Sequence, residues 1–124
     1  MSRSVLFVAI GGMIGSVCRF LSVAFIATLL PFAFPFGTFM VNIAGCFVMG
    51  AVAGLAERSL WLHHDWRAFL TAGFCGGFTT FSAFAFENVE LLLDKNYSTF
   101  AAYSIASFVL CLTAAFAGLM LTRN

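Results

Sequence analysis

Few side chains in this sequence can meet an ion, and their spacing groups them. Between Gly73 and Glu87 the chain reads GFCGGFTTFSAFAFE. Gly76 and Gly77 are adjacent, and each costs about 1 kcal/mol in a helix interior relative to alanine. Thr79 and Thr80 follow, with hydroxyls that compete for backbone hydrogen bonds. Phe81 and Phe84, three apart, share one helical face, with Ser82 between them. Elsewhere Thr38 and Asn42 are four apart, and Tyr103, Ser107 and Cys111 repeat at intervals of four. Each set forms a stripe of neutral donors down one helix face. Asn42 has two amide hydrogens and no charge to gain or lose. Phenylalanine has a negative ring face and a positive edge. Neutral donors beside ring edges suit a small anion that must be dehydrated but not trapped, since conduction needs both entry and exit. A cation would instead meet backbone carbonyls freed where a helix breaks. The simpler reading of any one hydroxyl is a bond to its own helix, and of Gly-Gly a packing notch.

The elements that must position these groups are membrane spans. The chain has 124 residues, 62% hydrophobic and 9% charged, against about 25% charged in a soluble domain. That composition implies an all-α integral membrane protein with one domain, residues 1–124. Four apolar segments reach the ~20 residues a spanning helix needs: roughly 4–29, 36–56, 67–93 and 98–121. The third carries the Gly-Gly-x-Thr-Thr interruption and is expected to be a broken helix. Such a break at membrane depth is tolerated where it is buried in protein or lines a watery cavity. The apolar N-terminal run is expected to stay as the first helix rather than act as a signal peptide, because Arg19 interrupts it and three spans follow. Gly11/Gly15 and Gly50/Gly54 have GxxxG spacing, read as close helix packing. Trp61, Trp66 and Tyr97 lie near span ends, as an interfacial belt requires.

Several function classes drop out. The net charge of +1 lacks the basic patch that nucleic acid calls for. No phosphate loop, nucleophile–base pair or paired carboxylates occur, so neither a nucleotide site nor an enzyme is expected. The four cysteines, Cys18, Cys46, Cys75 and Cys111, fall one per span without a CxxC pair, which suggests neither a disulfide framework nor zinc. His63-His64-Asp65 lacks the spacing of a recognised metal site. Arg3, Arg58, Arg67 and Arg123 fall on one side of the membrane, against Lys95 with Arg19 toward the other. So shallow a positive-inside bias permits insertion both ways and an antiparallel homodimer.

Arg19 and Glu87 are the charges within the spans. Spans one and three run in the same direction, which puts both charges past the midplane toward one face. They are read as partners or as occupants of a water-filled vestibule, against separate snorkelling to the interface.

These pieces resemble one family. GGMIGSVCRF (11–20), GTFMVNIAGCFVMG (37–50) and GFCGGFTTFSAFAFE (73–87) are similar to the CrcB/Fluc fluoride channels, and with length and layout the resemblance covers essentially the whole chain. It implies an antiparallel, dual-topology homodimer in the bacterial cytoplasmic (inner) membrane. It implies passive fluoride export, with a structural Na+ between the copies held by the Gly76 and Thr79 backbone carbonyls, four oxygens from two subunits. The pore residues it implies are Phe81, Phe84, Asn42, Ser82, Thr80, Tyr103 and Ser107. The family's TTFSTFS reads TTFSAFA here, so Ala83 and Ala85 remove hydroxyls, and Cys111 stands where serine is expected. The alternative is a proton-coupled exporter of small organic cations. That class needs a carboxylate in the first span, which this chain lacks.

Overall fold

Two parallel helix pairs, each locked by glycines, build the chain. The computed structural model describes residues 2–58 and 63–123 and is helical apart from its short connections. Helix α1 spans Ser2–Leu29 and α2 spans Phe36–Arg58. The third crossing is composite: α3 (His64–Ala68), a π-helical stretch (Phe69–Cys75), α4 (Gly76–Phe78) and α5 (Phe81–Leu93). Helix α6 runs Tyr97–Arg123. Among the described residues, four helical crossings are long and apolar enough to span a membrane. Their limits lie within a few residues of those expected, because a long apolar run is the strongest signal a sequence carries. Trp61 lies outside the described residues. Trp66 and Tyr97 are exposed, as interfacial side chains should be.

The α1 pair forms along the π-helical stretch. A Cβ at Gly11 would meet the Phe69 carbonyl and the Gly73 Cα, and one at Gly73 would meet the Val8 carbonyl at 3.0 Å. Gly77 sits 2.6 Å, by the same measure, from the Gly12 carbonyl. Both partners thus present bare backbone, which is how helices pack tightly when lipid offers no hydrophobic drive. At the N-terminal end the pair is pinned by Asp65, which is buried. Its carboxylate takes Arg3 Nη2 at 2.9 Å and the Ser4 hydroxyl at 3.0 Å. His63 Nδ1 accepts the Asp65 N–H, capping α3, so these residues close a helix start. Among the described residues no group of three or more potential ligands could hold a metal ion.

The second pair is α2 with α6, also parallel. Gly50 faces the Ala115 carbonyl, Gly54 faces Leu119 and Thr122, and Gly118 faces the Phe47 carbonyl. Thr122 donates to the Ala51 carbonyl at 2.7 Å. The pairs of helices meet where Gly45 of α2 lies against Thr79 and Phe78. Between α5 and α6 the turn is tight. Asn96 N–H bonds the Leu91 carbonyl and Lys95 N–H the Leu92 carbonyl, with Lys95 at φ 58°. That is a Schellman ending with lysine at the left-handed position glycine usually takes.

Candidate functional site

The interruption of the third crossing falls on the threonines. Gly76 and Gly77 keep helical geometry, whereas Thr79 (φ −87°, ψ 157°) and Thr80 (φ −151°, ψ 115°) are extended. Asn42 stabilises that conformation through both ends of its amide. Its Oδ1 accepts the Thr80 N–H at 2.8 Å and its Nδ2 donates to the Thr80 carbonyl at 3.2 Å. The Thr80 hydroxyl then accepts the Ala83 N–H at 3.1 Å, capping α5. These bonds divert two donors from their helical acceptors. Thr80 N–H would otherwise close on the Gly76 carbonyl, and Ala83 N–H on the Thr79 carbonyl. The adjacent Gly77 carbonyl takes Arg19 Nε at 3.0 Å. A guanidinium at the C-terminal end of a helical segment also meets the negative end of its dipole.

Below the break lies a cleft of about 470 Å³ between α2, α5 and α6, with Thr79 and Thr80 in its wall. Asn42, Thr80, Phe81, Phe84 and Ser107 all line it, so the structure brings together five residues that spacing had grouped only within single helices. The Phe81 and Phe84 ring centroids are 5.6 Å apart with planes tilted by 42°. Phe81 is 79% exposed in the single chain. Ser107 Oγ is buried and has no hydrogen-bond partner among the described residues. Asn42 has one amide hydrogen left after bonding Thr80. The cleft thus offers uncommitted donors and aromatic edges, all from uncharged side chains.

Other expected site residues lie apart from it. Ser82 is exposed, 3.2 Å from the Thr80 hydroxyl. Tyr103 is fully buried, behind Phe84 (ring centroids 4.9 Å apart), with Phe34 and Phe39 on its other sides. Its hydroxyl donates to Glu87 Oε1 at 2.7 Å, while Thr38 donates to Glu87 Oε2 at 2.7 Å. Sequence spacing placed Thr38 and Tyr103 at the ends of their stripes but gave no sign that a third helix would bring a carboxylate between them.

Of the readings open for Arg19 and Glu87, direct partnership is the one this geometry does not show. Arg19 is engaged by a backbone carbonyl and Glu87 by two hydroxyls, on separate sides of the break. Carbonyl acceptors belong to every residue alike, so the sequence does not mark which one a guanidinium will find. Arg19→Gln and Glu87→Gln should each destabilise the chain in thermal unfolding. Their losses should add within about 0.5 kcal/mol, as uncoupled sites do. A coupling above about 1 kcal/mol would reinstate the pair.

Comparison with known proteins follows the same lines. A family model described as "CrcB-like protein, Camphor Resistance (CrcB)" matches residues 6–119. A protein of Azobacteroides pseudotrichonymphae named fluoride-specific ion channel FluC is 40% identical over 123 residues, covering 99% of this chain and 98% of the relative. A protein of the same name from Methylobacillus flagellatus is 43% identical over 120 residues, covering 96% and 94%. One from Leptospira interrogans is 37% identical over 123 residues, covering 99% and 97%.

Proposed function

The chain belongs to the CrcB family, and we propose that it is a fluoride channel that lets the ion leave the cell down its electrochemical gradient. The observation that carries this reading is the neutral cleft beside the helix interruption. Ser107 offers a buried hydroxyl with no partner among the described residues, and Phe81 and Phe84 line the same cleft. A hydrated fluoride entering there exchanges water for the Ser107 hydroxyl, the spare Asn42 hydrogen and positive ring edges. None of these groups carries a full charge, so the ion is held weakly enough to move on. Asn42 acts mainly by fixing Thr80 and thereby the start of α5, which carries both rings. Thr38 and Tyr103 take up both oxygens of Glu87, which keeps carboxylate charge on the far side of Phe84 from the cleft.

The same reading makes the working unit two antiparallel copies in the bacterial cytoplasmic membrane, with lipid around them. Phe81 projects from the single chain, and Gly76 is exposed, where an added Cβ would meet only the Thr71 carbonyl at 3.8 Å. The Gly76 and Thr79 carbonyls, released from helical bonding, are hard oxygen donors of the kind a sodium ion takes. Bound there, Na+ would supply a fixed positive charge holding the interrupted segments of two copies together. Arg19 contributes on this side by occupying the Gly77 carbonyl, which leaves its neighbours free.

Purified protein in liposomes should release fluoride at least about a hundredfold faster than chloride, which corresponds to a barrier difference of about 2.7 kcal/mol. At clamped voltage the rate should be indifferent to an imposed proton gradient. Equal chloride efflux would refute the assignment, and dependence on the proton gradient would favour a coupled exporter.

A further inference from the structure

Cys46 and Cys111 face one another across the α2–α6 seam. The seam is a ladder. Gly54 opposes Leu119 and Gly50 opposes Ala115. One helical step further, the same offset sets Cys46 opposite Cys111. Both cysteines are only half-buried, and both line the cleft that holds Asn42, Phe84 and Ser107. Cys75 also neighbours Cys46 but is 1% exposed and is not on the cleft wall. Two mutually facing thiols on an open cleft have a chemistry that neither has alone.

We propose that Cys46 and Cys111 form a binding site for a soft, two-coordinate metal cation of the Ag+, Cu+ or Hg2+ class, and that occupation closes the cleft. Thiolate sulfur selects soft metals, and binding displaces the thiol protons. With mercuric ion the balance is two S–H bonds broken, two S–Hg bonds formed and two protons released to water, with no change of oxidation state. No cluster of three or more His, Cys, Asp or Glu ligands forms among the described residues. The site therefore suits a linear ion and not zinc, which takes four ligands. The bridging metal would stand beside Ser107 and Asn42, in the path assigned to fluoride. The metal site is independent of that assignment; only the closure rests on it.

The test uses the full chain with Cys18→Ala and Cys75→Ala, which leaves the facing pair as the sole thiols. Mercuric ion should bind at one per chain with both thiols lost to a thiol-counting reagent. Adding Cys46→Ala or Cys111→Ser should weaken retention against excess glutathione about a hundredfold, the loss expected when a two-point attachment becomes one. Cys111→Ser keeps size and polarity, so its loss of metal is not a packing effect. Two mercuric ions per chain, one thiol still free at saturation, or undiminished retention in the single-thiol variants would overturn the site. Fluoride efflux from liposomes of the two-thiol protein should fall at least tenfold with stoichiometric Hg2+ and return with a dithiol chelator. Full efflux with metal bound would overturn the closure. No efflux before metal is added would count against the channel assignment and leave the binding result standing.

Discussion

Gly50→Ala should be among the most destabilising single substitutions in this protein. The new Cβ would run into the Ala115 carbonyl, with its carbon at 2.8 Å and Leu119 N at 3.0 Å. All three are backbone atoms of a helix and cannot rotate aside. The two helices would have to part, and the seam above would part with them: Cys46 from Cys111, and Asn42 from the Ser107 side of the cleft. Overpacking costs typically 1–3 kcal/mol and sometimes more, and here no side chain can give way. Gly12→Ala is the control, because its Cβ would meet nothing nearer than the Gly73 carbonyl at 3.9 Å. Thermal unfolding in detergent should therefore show a large loss for Gly50→Ala and little for Gly12→Ala. Equal losses would mean that the helix contact does not govern stability. Gly76→Ala has room in the single chain, with the Thr71 carbonyl 3.8 Å away. A defect there would be one of assembly rather than folding.

Phe81→Ile and Phe84→Ile should each slow fluoride efflux by about tenfold or more, which corresponds to roughly 1.4 kcal/mol on the barrier. Isoleucine matches much of the bulk but has no quadrupole and so no positive edge. The two variants should differ in stability. Either variant loses the Phe81–Phe84 contact, but Phe81 is otherwise exposed, whereas Phe84 also packs on Tyr103 and should lose a further aromatic contact worth about 0.5–1.5 kcal/mol. Efflux and unfolding measured on the same preparations separate the effects. Undiminished efflux in both variants would return the rings to a packing role.

The sequence disclosed the crossings as long apolar runs and each polar stripe as a repeat within one helix. Gly11, Gly15, Gly50 and Gly54 marked the contact faces, and all four proved buried. What it did not disclose is relation between helices. That Cys46 and Cys111 meet follows from the seam set by Gly50 and Gly54, and no property of the cysteines announces it. The π-helical stretch Phe69–Cys75 was equally hidden, since it reflects how α1 seats against bare backbone rather than any local preference. The adjacent glycines drew attention to the right segment for an incomplete reason. Gly77 alone lets Gly12 and Ser16 come close, while Asn42, 38 residues distant, holds Thr80 extended.

Lys95 carries a last consequence. Its left-handed backbone at φ 58° is strained for any residue with a Cβ, at a cost of about 1–2 kcal/mol that glycine would avoid. Lys95→Gly is thus the substitution a stabilisation campaign would choose first. It would also erase a loop cation, the only one among the described residues on its side of the proposed arrangement. If the chain inserts both ways, as proposed, the turn is a point where thermostability and the direction of insertion are in conflict. A variant selected for heat resistance there would be sturdier as a chain, yet more uniform in the way it enters the bilayer. Where a working assembly needs both orientations, the more durable protein would yield fewer complete pairs.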